Sequence, residues 1–393
     1  MTNFFAIGMR KAILLTKAGK PGEATALIQT LLNRSVPDAT IEPDQTPDDH
    51  RVIEGAYQRL NDHHPSEPAK TPPFQQHGKR SGLRPSLRET LRRIAAGGMP
   101  HHAPQKHVST PVPAGAKFIT LTHRHGSEQR DYKLYIPANA PSAAMPLIVM
   151  LHGCTQSPDD FAVGTGMNAL AERHGVLVAY PAQPIGANAN KCWNWFKPED
   201  QARDRGEPAL IAGLAHDILR DYPVDPARIY IAGLSAGGAA AAIVSAAYPD
   251  LFSAVGVHSG LPVGAAADIP QAFSAMRSGL PGKALVAAVP TIVIHGMADA
   301  TVHARNGNAV IAQTLQVFGD LTASEKQGVS AGGRAYRQTS YGNGDGRSMC
   351  EHWEIEGAGH AWAGGQPGGS FTDPAGPAAS EEMLRFFLQH AQR

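Results

Sequence analysis

Apolar and polar positions change texture twice along the chain. Residues 4–34 carry apolar side chains at helical spacing in two runs, FFAIGMRKAILLTKAG and PGEATALIQTLLNR, broken at AGKPGE. That pattern predicts a helical hairpin with an apolar face to bury. Residues 35–112 lose the periodicity. SVPDATIEPDQTPDDHR and HHPSEPAKTPPFQQHGKR are rich in Pro, Asp and His and poor in aliphatics. Such a segment cannot bury enough apolar surface to offset chain entropy, so a largely disordered linker is expected, with a short helix at SLRETLRRIAAGG.

From residue 113 to the end the pattern becomes regular. KFITLTH and RDYKLYIP alternate as two antiparallel strands joined by RHGSEQ. Near-continuous apolar runs follow: PLIVMLHG, VLVAYP, RIYIAGLS, FSAVGVHSG and TIVIHG. Helix-like segments lie between them: PDDFAVGTGMNALAERHG, EPALIAGLAHDILRDY, AGGAAAAIVSAAYP and RNGNAVIAQTLQVF. CEHWEIEGAG is read as a last strand and ASEEMLRFFLQHAQ as a C-terminal helix. Apolar strands alternating with helices predict an α/β domain: a mostly parallel twisted sheet covered by helices on both faces. Ligands in such sheets bind beyond the carboxyl ends of the strands.

Composition changes this picture little. The 393 residues leave room for one large domain and an appendage, and the formal net charge is +1. No basic stripe interleaved with aromatics points to nucleic acid. No apolar run reaches the ~18 residues of a membrane span. The first residues are a poor signal peptide, because the basic residues follow the apolar patch, so a cytoplasmic location is expected. The linker histidines (His50, His63, His64, His77, His101, His102 and His107) are read as solvated, because nothing fixes their geometry. No metal or cofactor site is read. Three cysteines, Cys154, Cys192 and Cys350, do not make a disulfide framework or a zinc site. One bridge beside a free thiol is compatible with them, the pair left open.

The chemistry concentrates at strand ends. Gly233-Leu234-Ser235-Ala236-Gly237 matches G-x-S-x-G between a predicted strand and a predicted helix. A serine on so tight a turn is lifted out of the sheet as a nucleophile, and small residues two positions away let strand and helix approach. The following N–H groups open a helix and favour negative charge. A serine hydroxyl needs a base. Asp299 follows TIVIHG and His360 follows HWEIEGAG, which supplies the chain order Ser, Asp, His. Asp299 would hold the imidazole in the tautomer able to take the Ser235 proton. His303 is the alternative histidine, while Asp250 and Asp345 read as surface and turn residues. His152, His258 and His295 lie at strand ends, where scaffold roles compete with lining the cleft. The backbone N–H groups of Ala236 and Cys154 are the candidate oxyanion donors. A complete serine set argues against Cys154 as the nucleophile, and a buried thiol or a bridge is compatible with its backbone role. Trp193 and Trp195, in KCWNWF, and Trp362, in GHAWAGG, are candidate substrate contacts together with Gln156, with plain loop packing as the competing reading.

In combination, LHGCTQSPDDFAVGTGMNALAERHGVLVAYP, CWNWF, GLSAGGAAAA, AYPDLFSAVGVHSG, HGMADATVH and EGAGHAWAGG resemble the polyhydroxybutyrate depolymerase-type esterases. These are α/β-hydrolases related to feruloyl and acetylxylan esterases. The resemblance spans about residues 115–390. It implies a serine esterase working through an acyl-enzyme, with Ser235, Asp299 and His360 as its triad and Cys154 in its oxyanion region. The implied substrates are 3-hydroxybutyrate polymer, oligomers or short-chain esters, with feruloyl or acetylxylan-type esters as the alternative. It also resembles intracellular-type members in its N-terminal hairpin. Docking on the main domain is the packing reading of that hairpin, and contact with a granule or a second copy through residues 4–34 is its binding reading. Secreted members carry a signal peptide and at times a polymer-binding module, and an extracellular location is the alternative they imply.

Overall fold

A computed structural model describes residues 112–393, except 127, 139–142, 344–345 and 393. The expected hairpin, the linker and Asp345 lie outside the described residues.

The chain begins with a hairpin of strands β1 (Lys117–His125) and β2 (Glu128–Ile136), paired antiparallel in the expected place. β3 (Met145–Leu151) follows, and every residue of it is buried. Full burial of such a side chain is worth roughly 1.5–3 kcal/mol relative to exposure, so this run can only be central. The single helix read over PDDFAVGTGMNALAERHG is two helices, α1 (Pro158–Thr165) and α2 (Met167–His174). Gly166, at φ +63°, ends the first with a left-handed turn that a glycine adopts without a Cβ penalty. Ser157 caps α1 by accepting from Asp160 N–H at 3.2 Å.

β4 (Leu177–Pro181), α3 (Gly206–Asp221), β5 (Val224–Leu234), α4 (Ala236–Ala247) and β6 (Ala254–His258) come next. Then follow α5 (Ile269–Ser278), β7 (Thr291–Gly296) and α6 (Arg305–Phe318). The chain closes with β8 (Thr322–Val329), β9 (Ala335–Gly342), β10 (Ser348–Ile355), two-residue strands β11 (Trp362–Ala363) and β12 (Thr372–Asp373), and α7 (Ala379–Leu388). Helix α5 and strands β8 and β9 were not expected from the pattern. β8 is exposed almost throughout, so it lacks the apolar alternation that marks a strand.

Ten strands form one sheet in the order β1-β2-β4-β3-β5-β6-β7-β10-β9-β8. The six central strands, from β4 to β10, pair in parallel, and antiparallel pairs extend both sides. Two apolar layers cover the faces. One packs α3, α4 and α6 against the sheet through residues such as Ile211, Ala240 and Val310. The other packs α1, α2 and α7 through Phe161, Leu170 and Phe386. The expected mostly parallel sheet with helices on both faces is therefore present. Its parallel centre puts the carboxyl ends of β3, β5, β7 and β10 on one edge.

Candidate active site

Ser235 stands where β5 passes into α4, with φ +59° and ψ −120°. Non-glycine residues rarely take a positive φ, and the surrounding packing holds this one. A Cβ on Gly233 would overlap the backbone of Gly237, and a Cβ on Gly237 would overlap the carbonyl of Leu151. Both glycines are therefore steric requirements of the turn. Ser235 N–H donates to His258 O at 2.9 Å, which ties the bend to the end of β6.

Asp299 lies just beyond β7, and its side chain is fully buried. Its Oδ1 accepts from the N–H groups of Thr301 (2.9 Å) and Val302 (2.8 Å). Its Oδ2 lies 2.7 Å from His360 Nδ1 and 3.5 Å from His295 Nε2. Burial alone would raise this carboxyl, but the hydrogen bonds and charges of His295 and His360 outweigh it and hold it well below the ordinary carboxylate range. An ionised Asp299 makes His360 Nδ1 the donor, which leaves Nε2 of His360 free to accept a proton. His360 lies beyond β10 with 12% of its side chain exposed. The chain thus brings Ser235, Asp299 and His360 to one sheet edge. His303 is exposed, and its Nδ1 accepts from Arg305 N–H at 3.2 Å. Asp250 pairs with Arg203 on the surface, as read.

The loop after β3 reaches the same edge. Thr155 N–H donates to Asn190 O at 2.7 Å and Gly153 N–H to Gln156 Oε1 at 2.8 Å. Among the described residues, the Cys154 and Ala236 N–H groups have no acceptor within the protein. Cys154 is bridged to Cys192, and Cys350 is a buried free thiol that burial pushes up to about 12.

The four expected substrate contacts are corrected by their burial. Trp193 is 0% exposed, Trp362 1%, Gln156 2% and Trp195 6%. Trp193 Nε1–H donates to His152 O at 3.0 Å. Trp362 stacks on His258 and donates to Ser380 Oγ at 3.0 Å. Gln156 Nε2 donates to Asp160 Oδ2 (3.0 Å) and Ser370 O (3.1 Å). These side chains hold the loops that frame the site. The exposed apolar side chains on the segments around Asp299 and His360 are Met297 and Phe371, each 40% exposed. Neither stands out in the sequence, since a lone apolar residue in a loop carries no pattern.

A buried polar cluster was also missed. Glu207 accepts from Asn194 N–H and Asn194 Nδ2, both at 2.8 Å, and from Gln183 Nε2. Arg130 donates to Gln183 Oε1 at 2.8 Å. Burial, then the neighbouring Asp200, push the Glu207 carboxyl up to about 7. Its members come from β2, the 182–200 loop and α3, so no local spacing announces them.

A mostly parallel sheet with helices on both faces and a serine on a strained strand-to-helix bend defines an α/β-hydrolase. The chain belongs to the Esterase PHB depolymerase family, whose model matches residues 130–334. It is 32% identical over 259 residues to poly(3-hydroxyalkanoate) depolymerase C of Paucimonas lemoignei, covering 62% of this chain and 61% of that protein. It is 27% identical over 287 residues to feruloyl esterase B of Neurospora crassa, covering 67% of this chain and 89% of that one. The solved acetyl xylan esterase from Aspergillus awamori matches with a TM-score of 0.53 at 19% identity, over 69% of this chain and 98% of that one, and supports the fold. The chain spans 61% and 52% of the lengths of the Paucimonas depolymerase and a second poly(3-hydroxybutyrate) depolymerase from Ralstonia pickettii. Among the described residues, no helix is long and apolar enough to cross a membrane.

Proposed function

We propose that the protein is a serine carboxylic-ester hydrolase acting on 3-hydroxyalkanoate polymer, oligomers or short-chain esters. The observation that carries this reading is the 2.7 Å contact between Asp299 Oδ2 and His360 Nδ1 on the edge where the bend presents Ser235. His360 Nε2 takes the Ser235 hydroxyl proton as Oγ attacks the ester carbonyl carbon. The Ala236 and Cys154 N–H groups receive the oxyanion. Collapse expels the alcohol, which takes the proton from His360 and leaves an acyl-Ser235. Water repeats the sequence and releases the acid. Substrate contact falls to exposed side chains, with Met297 and Phe371 the first candidates.

The depolymerase relative at 32% identity favours hydroxyalkanoate esters, while the feruloyl esterase at 27% supports an aryl or carbohydrate ester as the second reading. Product release from 3-hydroxybutyrate oligomers and from methyl ferulate separates the two. Ser235→Ala is expected to abolish both, and retained hydrolysis would sink the mechanism.

The location belongs to the same proposal. A Cys154–Cys192 bridge favours an oxidising compartment, the alternative to the cytoplasmic expectation. Thiol titration of denatured protein, before and after reduction, tests it: one free thiol must become three. Granule or self-contact through residues 4–34 is tested by deleting them and measuring sedimentation with polymer granules.

A further inference from the structure

His295 and His352 carry polar atoms that the triad does not use. The parallel register of β7 and β10 sets His295 opposite Glu354 and His352 opposite Val293, so both histidines project from one face of the sheet. His295 is 0% exposed, so it touches no substrate. Its Nε2 lies 2.8 Å from Val302 O and 3.5 Å from Asp299 Oδ2. A carbonyl and an ionised carboxylate only accept, so Nε2 carries the proton. In the neutral ring Nδ1 is then a bare acceptor, and among the described residues it is buried without a partner. His352 Nε2 is likewise buried without a partner among them. A Cβ on Gly307 of α6 would stand 2.9 Å from His295 Nδ1 and 3.3 Å from His352 Nε2. The two unpartnered nitrogens thus face the same point, which a glycine leaves clear.

We infer that His295 is a positioning residue for Asp299, and that the His352 Nε2–H fixes the His295 ring in the tautomer this requires. The inference rests on the proposed role of Asp299 as the partner of His360. Asp299 Oδ2 stands between two imidazoles, with His360 Nδ1 at 2.7 Å and His295 Nε2 at 3.5 Å. The N–H groups of Thr301 and Val302 pin Oδ1, which holds one oxygen and leaves the carboxylate free to tilt about it. The His295 Nε2–H acts on the other side at two places. Its short arm holds Val302 O, in the same residue whose N–H grips Oδ1. Its long arm draws Oδ2 and keeps the carboxylate aimed at His360. The opposite tautomer would set a bare Nε2 against two oxygens and undo both. His352 decides between the tautomers. Burial pushes it down to about 4, with Glu354 opposing and His295 and Arg337 adding to the effect, so its ring is neutral. A bare His352 Nε2 would face a bare His295 Nδ1, whereas an Nε2–H gives that Nδ1 its donor, directly or through one water. Donor and acceptor then alternate from His352 through His295 and Asp299 to His360.

The tautomers are tested first, by two-bond ¹H–¹⁵N NMR of histidine-labelled wild-type protein at pH 7, with signals assigned from single His→Gln variants. Both His295 and His352 should be neutral with the proton on Nε2. A His295 proton on Nδ1 overturns the inference, and a bare His352 Nε2 removes His352 from it. Kinetics on a short-chain p-nitrophenyl ester test the consequence. A Gln amide nitrogen reaches the place of Nε2, whereas an Asn amide stops near that of Nδ1. His295→Phe and His295→Asn are expected to lower kcat by roughly 10- to 100-fold, the range of a small misplacement at the reacting groups, with KM within about threefold. His295→Gln should recover most of kcat. His352→Phe should lose a smaller share, about 3- to 10-fold, and His352→Gln little. Gly307→Ala drives a methyl against His295 Nδ1 and should lower kcat although it removes no polar atom. Full kcat in His295→Phe overturns the inference, and so does equal activity of His295→Gln and His295→Asn or a loss carried by KM. If the Phe protein fails to fold, the Gln–Asn comparison and the wild-type tautomers decide. A fully active Asp299→Asn protein would overturn the triad itself. An inactive Asp299→Asn protein beside an unimpaired His295→Phe protein overturns the positioning role alone.

Discussion

His258 and Trp362 stack with ring centroids 4.9 Å apart and planes at 24°. The pair joins the end of β6, which also receives the Ser235 N–H, to the loop that carries His360. His258 Nε2 further accepts from Ala363 N–H at 3.0 Å. Ser235 and the loop of His360 are thus both tied to one fully buried residue, His258, although Ser235 and His360 lie 125 residues apart in the chain.

Trp362→Ala should therefore act through the scaffold. Emptying so large a buried site costs about 3–5 kcal/mol, and it also leaves Ser380 Oγ without its donor. Urea unfolding should show that loss, with kcat falling as the His360 loop loosens. Trp362→Phe should keep KM near wild type. A large rise in KM without loss of stability would restore the substrate-contact reading.

Asp299→Asn replaces a carboxylate that accepts from three groups at hydrogen-bond distance, Thr301 N, Val302 N and His360 Nδ1, by an amide. The amide nitrogen facing His360 favours the wrong tautomer. A kcat loss of about 10⁴-fold, with KM little changed, is the expected outcome in steady-state kinetics.

Removing the bridge by a Cys154→Ala, Cys192→Ala double change frees a loop of 38 residues. Chain entropy puts the loss near 4 kcal/mol as an upper figure, and measured values commonly fall at 2–4. Because the Cys154 N–H survives, activity should fall far less than in Asp299→Asn. Thermal unfolding and esterase assays on the same samples check both parts.

Stability should fall on the acid side well before ordinary carboxylates titrate. Burial lowers His152 and His352 to about 4 and His258 to about 3 from 6.5. Each is neutral when folded but protonated when unfolded below pH 6.5, so the unfolded chain binds more protons. Their contribution is intact above 6.5 and is lost as pH falls through 4 toward 3. Glu207 runs the other way: its carboxyl, raised to about 7, stabilises below 4.5 and loses that effect as pH rises through 7. Three groups against one leave a net loss between pH 6.5 and 4.5, on the order of a few kcal/mol. Urea midpoints at pH 7, 5.5 and 4.5 measure it. Glu207→Gln should steepen the acid loss and flatten the profile above pH 6.5.

The central sheet and the bend that carries Ser235 were legible in the sequence because their causes are local. Fully apolar runs such as Met145–Leu151 fit only strands covered on both faces, and G-x-S-x-G is a steric rule within five residues. The positions of Asp299 and His360 followed from strand ends that a parallel sheet brings together. Strands β8 and β9 were not legible, since their exposed faces carry no apolar period. The tryptophans show the sharper limit. Composition marks Trp193, Trp195 and Trp362 as notable but does not say which way a side chain points. That direction is set by partners distant in sequence, such as Ser380 for Trp362 and His152 for Trp193. The sequence by itself determined the central strands, the helices between them and the bend at Ser235, because each depends on short-range sterics and periodicity. Only the tertiary structure decided the Cys154–Cys192 pairing, the burial of the aromatic segments and the imidazoles behind Asp299. Those depend on which distant side chains meet once the sheet has closed the loops onto one edge.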